Sequence, residues 1–145
     1  MEQMTLGKDE LAASATKLAH ELMPKEHAAV VALTGDLGAG KTTFAQAFAK
    51  ALGVDEHVTS PTYVIEKRYP LTNQKFAHLV HIDAYRLADA DELRKLDWES
   101  TARDLKNLII IEWADRVSEL IPADAIRISL AYLDEDTRTL TYADR

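Results

Sequence analysis

The sequence predicts an α/β fold, a single domain over residues 1–145 in which a mixed, mostly parallel central sheet is flanked by helices and carries antiparallel hairpins. Three observations predict this fold. Short apolar runs typical of buried strands alternate with segments of helical periodicity, the last two strand-like runs are close enough to form a hairpin, and no internal repeat or linker divides the chain. A domain of this length buries about 70% of the surface that its unfolded chain exposes.

The first half of the chain predicts a helix, a strand and a second helix. Apolar residues recur at helical spacing over residues 9–23, which indicates an amphipathic helix packed on the sheet. The apolar run 28–34 is typical of a strand that is buried on both faces. Helical spacing returns over residues 42–52, and Gly53 follows where a helix often ends.

A hairpin, a helix and a central strand are predicted next. The strand-like runs 63–69 and 76–83 flank a turn-forming segment and predict an antiparallel hairpin. The D-x-x-E spacing that begins at Asp89 predicts a helix start, and this helix continues, broken or bent, to residue 105. The run 108–112 is the most apolar strand of the chain, and the strand–helix–strand order predicts that it runs parallel to 76–83.

Three short elements complete the chain. A helical segment is predicted near residues 116–120. Alternating apolar and polar residues predict strands over 126–132 and 137–142. The acidic loop between these two strands joins them as a C-terminal hairpin.

The central motif is Gly-Asp-Leu-Gly-Ala-Gly-Lys-Thr at residues 35–42, which matches the pattern G-x-x-x-x-G-K-T. Glycines let successive backbone N–H groups approach an anion, and the start of the following helix adds unsatisfied donors and the positive end of its dipole. Lys41 then reaches the β- and γ-phosphates, and the Thr42 hydroxyl binds Mg²⁺. The motif follows a predicted strand and opens a predicted helix, which is the context that it requires.

These residues predict the P-loop NTPase fold and a site for ATP and Mg²⁺. No guanine-reading N-K-x-D motif follows the loop, which favours adenine. The flanking strand and helix disfavour the alternative of a glycine-rich turn with an incidental lysine. The predicted nucleotide-binding residues of the motif are Gly35, Asp36, Leu37, Gly38, Ala39, Gly40, Lys41, Thr42 and Thr43.

Two predicted strands end in carboxylates, Asp83 and Glu112. Ligands bind at the carboxyl ends of parallel strands in an open α/β sheet, and a P-loop needs both a carboxylate near the metal and a residue that orients the attacking water. Asp83 suits the metal and Glu112 suits the water, but periodicity does not decide between them. Both are therefore candidate metal ligands with Thr42, and both are candidate catalytic residues with Lys41. The alternative is that each acid merely ends a strand at the surface.

Composition disfavours several classes of function. The 17 Lys and Arg residues against 24 Asp and Glu give a net charge of −7, which argues against a protein that grips a nucleic-acid backbone by itself. The absence of cysteine excludes disulfides, thiol nucleophiles and Cys-ligated zinc. The chain shows no signal pattern and no apolar run of membrane-spanning length, so we expect a cytoplasmic protein that does not engage a membrane. His78 and His81 point to opposite faces of their strand, which disfavours a two-histidine metal site.

Four blocks occur in a fixed order along the chain: residues 35–43, the Ser-Pro-Thr of 60–62, the His-Ile-Asp-Ala-Tyr-Arg-Leu of 81–87 and the Ile-Glu-Trp of 111–113. Together they resemble the TsaE family, small bacterial P-loop ATPases that support the TsaB and TsaD proteins in making threonylcarbamoyladenosine at position 37 of tRNA. The resemblance extends over nearly the whole chain. The P-loop is shared with many unrelated NTPases, but the four blocks in this order are specific.

The resemblance implies roles for individual residues. Ser60 and Thr62 are implied to lie on a switch-like loop near the γ-phosphate, although the segment taken by itself reads as a turn. Asp83 is implied to belong to the metal shell, and Glu112 is implied to be needed for hydrolysis. Trp113 is implied to lie near the nucleotide. The implied partners are TsaD, TsaB and ATP or ADP, and tRNA is involved only indirectly.

The function that the resemblance implies is a weak, Mg²⁺-dependent ATPase that its partners stimulate and that is required for formation of the threonylcarbamoyl group on adenosine 37 of tRNA. No obvious arginine finger is recognisable beside the P-loop, which predicts slow turnover by the protein alone. A small-molecule kinase is one alternative, but an arginine-rich lid is not apparent. The other alternative is a module that binds nucleotide as a switch and hardly hydrolyses it.

Overall fold

The computed structural model describes residues 2–36, 38–54 and 65–142. Its elements, in chain order, are β1 (Glu2–Gly7), α1 (Lys8–Glu21), β2 (Ala29–Thr34), α2 (Lys41–Ala51), β3 (Glu66–Pro70), β4 (His78–Asp83), α3 (Ala90–Arg94), α4 (Trp98–Arg103), β5 (Asn107–Glu112), a 3₁₀ segment (Ala114–Leu120), β6 (Ile126–Tyr132) and β7 (Thr137–Tyr142).

In the described part of the chain the strands form one seven-stranded sheet in the order β1-β7-β6-β2-β5-β4-β3. The four adjacent strands β6, β2, β5 and β4 are parallel. β7 and β3 run against their neighbours, and β1 runs against β7. Five of the seven strands therefore share one direction, which confirms the predicted mixed, mostly parallel α/β fold.

Two apolar clusters form the core, one on each face of the sheet. Alternate residues of β2 and β5 belong to different clusters, because successive side chains of a strand point to opposite faces. On one face α1 and α2 pack together, and the rings of Phe44 and Phe48 are fully buried with centroids 6.4 Å apart. On the other face Leu93, Trp98 and Val117 cover the sheet. Within the described ranges, no helix has both the length and the apolar character needed to cross a membrane.

Both predicted hairpins and the predicted parallel pairing are confirmed. β3 and β4 form the first hairpin, β6 and β7 form the second, and β4 lies parallel to β5. Residues 63 and 64 of the first predicted strand lie outside the described residues. The predicted helix 89–105 is broken into α3 and α4, because Asp97 between them has left-handed backbone angles (φ 63°, ψ 38°) that a helix does not accommodate.

β1 is absent from the elements predicted from the sequence. Leu6 is the one buried residue of this strand, so the apolar pattern is too weak to indicate a strand. The strand forms because it pairs with β7, in a register that places Leu6 opposite Arg138 and Gly7 opposite Thr137. This pairing brings the start of α1 next to the C-terminal hairpin.

Replacing Leu6 by Ala tests whether β1 is docked on the sheet. Leu6 is 8% exposed and belongs to the core cluster under α1, so Leu6→Ala is expected to lower the free energy of unfolding by about 2 kcal/mol in urea denaturation. Thr5→Ala, at the exposed neighbouring position, serves as the control and is expected to change it by less than about 0.5 kcal/mol. Equal effects of the two substitutions would contradict the docking of β1.

Candidate functional site

The loop between β2 and α2 has a conformation that only glycine allows at its two ends. Gly35 (φ 142°) and Gly40 (φ 103°) both have positive φ. A Cβ atom at Gly35 would lie 2.2 Å from the carbonyl oxygen of Leu130 in β6, far inside contact distance. The glycine at the end of β2 is therefore required for the loop to pass so close to β6, and this is the local reason for the first position of the motif.

Lys41, the first residue of α2, is curled back onto its own loop. Its Nζ donates to the carbonyl oxygens of Gly35 and Asp36, the second at 2.8 Å, and lies 4.1 Å from the ring centroid of Trp113. Lys41 is buried, with 5% of its surface exposed. Burial lowers the pKa of the amine, and the negative charge of Glu112 is the largest influence that opposes this shift.

Glu112 at the end of β5 joins three elements through one buried carboxylate. Oε1 accepts a hydrogen bond from the Thr42 hydroxyl at 3.1 Å, and Oε2 lies 2.7 Å from Nε2 of His81. Glu112 is 2% exposed and His81 is 1% exposed. Nδ1 of His81 is buried without a hydrogen-bond partner. The tautomer with its hydrogen on Nε2 suits this arrangement, because Nε2 then donates to the carboxylate and no N–H group at Nδ1 is left unpaired.

Asp83 ends the neighbouring strand β4 and is paired in register with Glu112. One of its carboxylate oxygens accepts the backbone N–H of Tyr85 at 3.0 Å. Burial raises the pKa of Asp83 and the nearby Glu112 charge adds to the rise, while the Tyr85 N–H, His81 and Lys41 act against it. The two predicted carboxylates therefore lie side by side and repel each other at the carboxyl end of the sheet.

An aromatic pair forms the wall beside these carboxylates. The rings of Trp113 and Tyr85 are 4.9 Å apart and inclined at 49°. The guanidinium carbon of Arg116 lies 5.3 Å from the Tyr85 ring, and the tyrosine is 42% exposed. Trp113 therefore contacts both the buried lysine and an exposed aromatic ring, and its implied place near the nucleotide stays a prediction.

The P-loop, the carboxylates and the aromatic pair open into one cleft of about 510 Å³. The predicted site residues that line it are Gly38, Gly40, Lys41, Thr42, Thr43, Asp83, Glu112 and Trp113. Gly35 and Asp36 contribute the carbonyl oxygens that hold the lysine, and Ala39 is buried. Three predicted site residues, Leu37, Ser60 and Thr62, lie outside the described residues, so their roles stay predictions.

The donor set of the cleft fits Mg²⁺. No group of three or more His, Cys, Asp or Glu side chains in the described ranges is arranged to hold a metal by itself. Mg²⁺ does not need such a group, because it binds one or two carboxylates together with waters and phosphate oxygens. The Thr42 hydroxyl, Asp83 and Glu112 offer that combination at the mouth of the loop.

Two residues of the site were not found from the sequence. His81 shares a face with Asp83, which hinted at the site, but its partner Glu112 becomes visible only through the pairing of β4 with β5. The second is Arg138 in β7, whose Nε donates to the carbonyl oxygen of Gly38 at 3.1 Å, while the expected lack of an arginine finger stays a prediction. A separation of 100 residues in the chain hides this contact from any local pattern.

The fold and the glycine loop with its buried lysine define a protein of the P-loop NTPase fold class. A family model described as "Threonylcarbamoyl adenosine biosynthesis protein TsaE" matches residues 7–140. The chain belongs to the TsaE family. Membership indicates a part in threonylcarbamoyladenosine biosynthesis, which the family description names, and the predicted family is confirmed.

Relatives and a solved structure agree with this assignment. The tRNA threonylcarbamoyladenosine biosynthesis protein TsaE of Bacillus subtilis is 37% identical over 113 residues, 78% of this chain and 68% of the relative. The protein of the same name from Treponema pallidum is 35% identical over 120 residues, 81% of this chain and 84% of the relative. The crystal structure of Bacillus subtilis YdiB superposes with a TM-score of 0.68 at 30% identity, covering 97% of this chain and 84% of that one.

Asp83→Asn tests the electrostatic strain between the two carboxylates. The pKa of Asp83 is raised in the folded protein, so at neutral pH its ionised form is held at a cost to the folded state. Removing the charge is therefore expected to raise the free energy of unfolding of the nucleotide-free, metal-free protein at pH 7. The gain is expected to shrink as the pH falls through the raised pKa, because Asp83 then takes up a proton in the folded wild type and the cost is relieved.

Urea denaturation between pH 7 and pH 4 provides the measurement. Glu26→Gln, which neutralises an exposed loop carboxylate, is the matched control and is expected to show no such gain. A stabilisation that is absent at pH 7, or that grows as the pH falls, would contradict the raised pKa.

Proposed function

We propose that this protein is a cytoplasmic, Mg²⁺-dependent ATPase that acts with TsaB and TsaD in forming the threonylcarbamoyl group on adenosine 37 of tRNA, and that it does not act on tRNA directly. The observation that carries the proposal is the buried Glu112 carboxylate in hydrogen-bond contact with the P-loop Thr42. This contact joins a phosphate-binding loop to an acid suited to water activation. The net charge of −7 is consistent with tRNA being bound by the partners.

Lys41 supplies the first part of the proposed activity, the binding of the phosphates. Its ammonium group is held by two neutral carbonyl oxygens and lies over the face of Trp113. Phosphate oxygens are stronger acceptors for an ammonium group, because the hydrogen bond is then assisted by charge on both partners. Lys41 exchanges the loop carbonyls for the β- and γ-phosphates, and the N–H groups at the start of α2 bind the remaining oxygens.

Thr42 and Asp83 are the residues that would hold Mg²⁺, and Glu112 beside them has the separate role of orienting the water. Bound there, the ion would supply positive charge that offsets the negative charge of the phosphates. The contact of Glu112 with the Thr42 hydroxyl places one acid at this position, and Asp83 lies on the adjacent strand. Burial and the nearby Glu112 charge raise the pKa of Asp83, and a cation bound by Asp83 would favour its ionised form.

Glu112 orients the attacking water. Glu112 lines the cleft, and a carboxylate oxygen accepts a hydrogen bond from a water molecule that lies beside the loop. His81 keeps the carboxylate in a fixed orientation through a 2.7 Å contact that is shielded from solvent. Such fixation is what a general base needs, because the proton transfer depends on distance and direction.

The partners are proposed to complete the γ-phosphate end of the site. The predicted switch residues Ser60 and Thr62 are assigned to sensing the γ-phosphate, and TsaB and TsaD to ordering that segment or supplying a further cation. An added arginine is worth about 10³ to 10⁵ in rate in other NTPases. Arg138 touches the loop at Gly38, on the side of β7, and two strands, β6 and β2, separate β7 from β5, which carries Glu112. Slow turnover by the protein alone is therefore expected.

Phosphate release from Mg²⁺-ATP tests the proposal. We expect slow release by the protein alone and at least about a tenfold rise with purified TsaB and TsaD together. Glu112→Gln is expected to lower release by about 10² to 10³, the usual contribution of a general base, while ATP affinity changes by less than about threefold. Glu119→Gln removes an exposed carboxylate from the neighbouring 3₁₀ segment and is the matched control.

The alternatives give different results in the same assay. Phosphate release that is changed neither by the partners nor by Glu112→Gln would contradict the proposal. Turnover that appears only when a small-molecule acceptor is added would also contradict it and would favour a kinase. Tight ATP binding without any turnover in the presence of both partners would favour a nucleotide-binding switch.

A further inference from the structure

The cleft has a basic end that no motif predicts. Lys8, the first residue of α1, and Arg138 of β7 both line it. They come together because β1 pairs with β7, in a register that places Leu6 opposite Arg138 and so brings Lys8 next to the hairpin. The N-terminal and C-terminal parts of the chain thus contribute one cation each to the wall beside the P-loop.

Arg138 is held in place before any ligand arrives. Its Nε donates to the carbonyl oxygen of Gly38, and its Nη1 donates to the carbonyl oxygens of Asp134 at 2.7 Å and Thr137 at 2.9 Å. The guanidinium carbon lies 4.8 Å from the ring centroid of Tyr132, so the group also packs on an aromatic face. These bonds use Nε and Nη1, and Nη2 offers two further N–H donors.

The hairpin that carries Arg138 is ordered by an acid at its tip. The carboxylate of Asp134 accepts the backbone N–H groups of Asp136 and Thr137, each at 2.9 Å. The hydrogen bond from the Asp136 N–H is the main reason that the pKa of Asp134 lies below its ordinary value. The tip is thereby fixed by its own backbone bonds, and the arginine is presented from a rigid support.

The cleft is polarised from one end to the other. Its acidic end is at β4 and β5, with Asp83 and Glu112, and its basic end is at β7. β7 is separated from β5 by β6 and β2, which at the usual strand spacing is about 14 Å. In the proposed ATP site, the metal and the γ-phosphate occupy the acidic end. The rest of the nucleotide therefore extends toward β7.

Resting on the proposed ATP site, we propose that Arg138, with Lys8 beside it, binds the α-phosphate end of the bound nucleotide. A guanidinium group matches phosphate oxygens in geometry and charge better than an ammonium group does, and its position on the Gly38 carbonyl puts it against the loop that holds the β-phosphate. The charges of the cleft support this assignment. Without Arg138 and Lys8, Lys41 would be the one basic side chain facing the polyphosphate, next to the acids Asp83 and Glu112. Arg138 and Lys8 supply the missing positive charge.

Affinities for ATP, ADP and pyrophosphate, each measured by calorimetry with Mg²⁺, test this assignment. Pyrophosphate fills the positions of the β- and γ-phosphates and lacks the α-phosphate. Arg138→Gln is expected to weaken ATP and ADP by about tenfold and pyrophosphate by less than about twofold. Arg138→Lys, which keeps the charge, is expected to lose about threefold for ATP, as is Lys8→Gln. Arg127→Gln on the adjacent strand β6 is the matched control and is expected to bind all three ligands as the wild type does.

Three results would overturn the assignment, and they differ in what else they affect. Unchanged ATP affinity in Arg138→Gln would show that Arg138 does not contact the nucleotide, and it would leave the proposed function intact. Equal weakening of ATP and pyrophosphate would show that the arginine acts only by holding the P-loop at Gly38. A wild type that binds neither ATP nor ADP would contradict the proposed function as well as this assignment.

Discussion

The bond between the Glu112 carboxylate and the P-loop is the interaction on which the site depends. One oxygen accepts from Thr42 of α2, the other contacts His81 of β4, and the acid itself ends β5. Burying a carboxylate is unfavourable by several kcal/mol unless hydrogen bonds replace its water. Both bonds must therefore be in place, and they fix α2, β4 and β5 relative to one another. The remaining parts of the cleft, Asp83 among them, take their positions from this arrangement.

The site is assembled at the expense of stability. Asp83 and Glu112 are paired in register at the ends of adjacent parallel strands, and burial together with the Glu112 charge raises the pKa of Asp83. Lys41 is buried enough for its pKa to fall although acids surround it. Buried ionisable groups with shifted pKa values are typical of a functional site. They lower the stability of the unliganded protein, and a ligand of suitable charge offsets that cost. A polyphosphate with its metal ion has the charges that would do so here.

The sequence predicts the parts of the site that are local. The glycine loop and Lys41 are contiguous, so their spacing reveals them, and the position of Asp83 and Glu112 at strand ends follows from apolar runs. The parts that it does not predict depend on pairings between distant segments. Leu6 is the one buried residue of β1, and the strand is held on the sheet by its pairing with β7. Arg138 reaches Gly38 across 100 residues of chain for the same reason. Local periodicity contains no information about such contacts.

The central claim, that Glu112 ties the P-loop to the sheet, is tested most directly by a double-mutant cycle. The free energies of unfolding of the wild type, Thr42→Val, Glu112→Leu and the double variant are measured in urea without nucleotide. The 3.1 Å hydrogen bond to a buried carboxyl group predicts a coupling energy of about 1 to 2 kcal/mol between the two substitutions. Effects that add to within about 0.3 kcal/mol would contradict the claim, because the two side chains would then stabilise the protein independently.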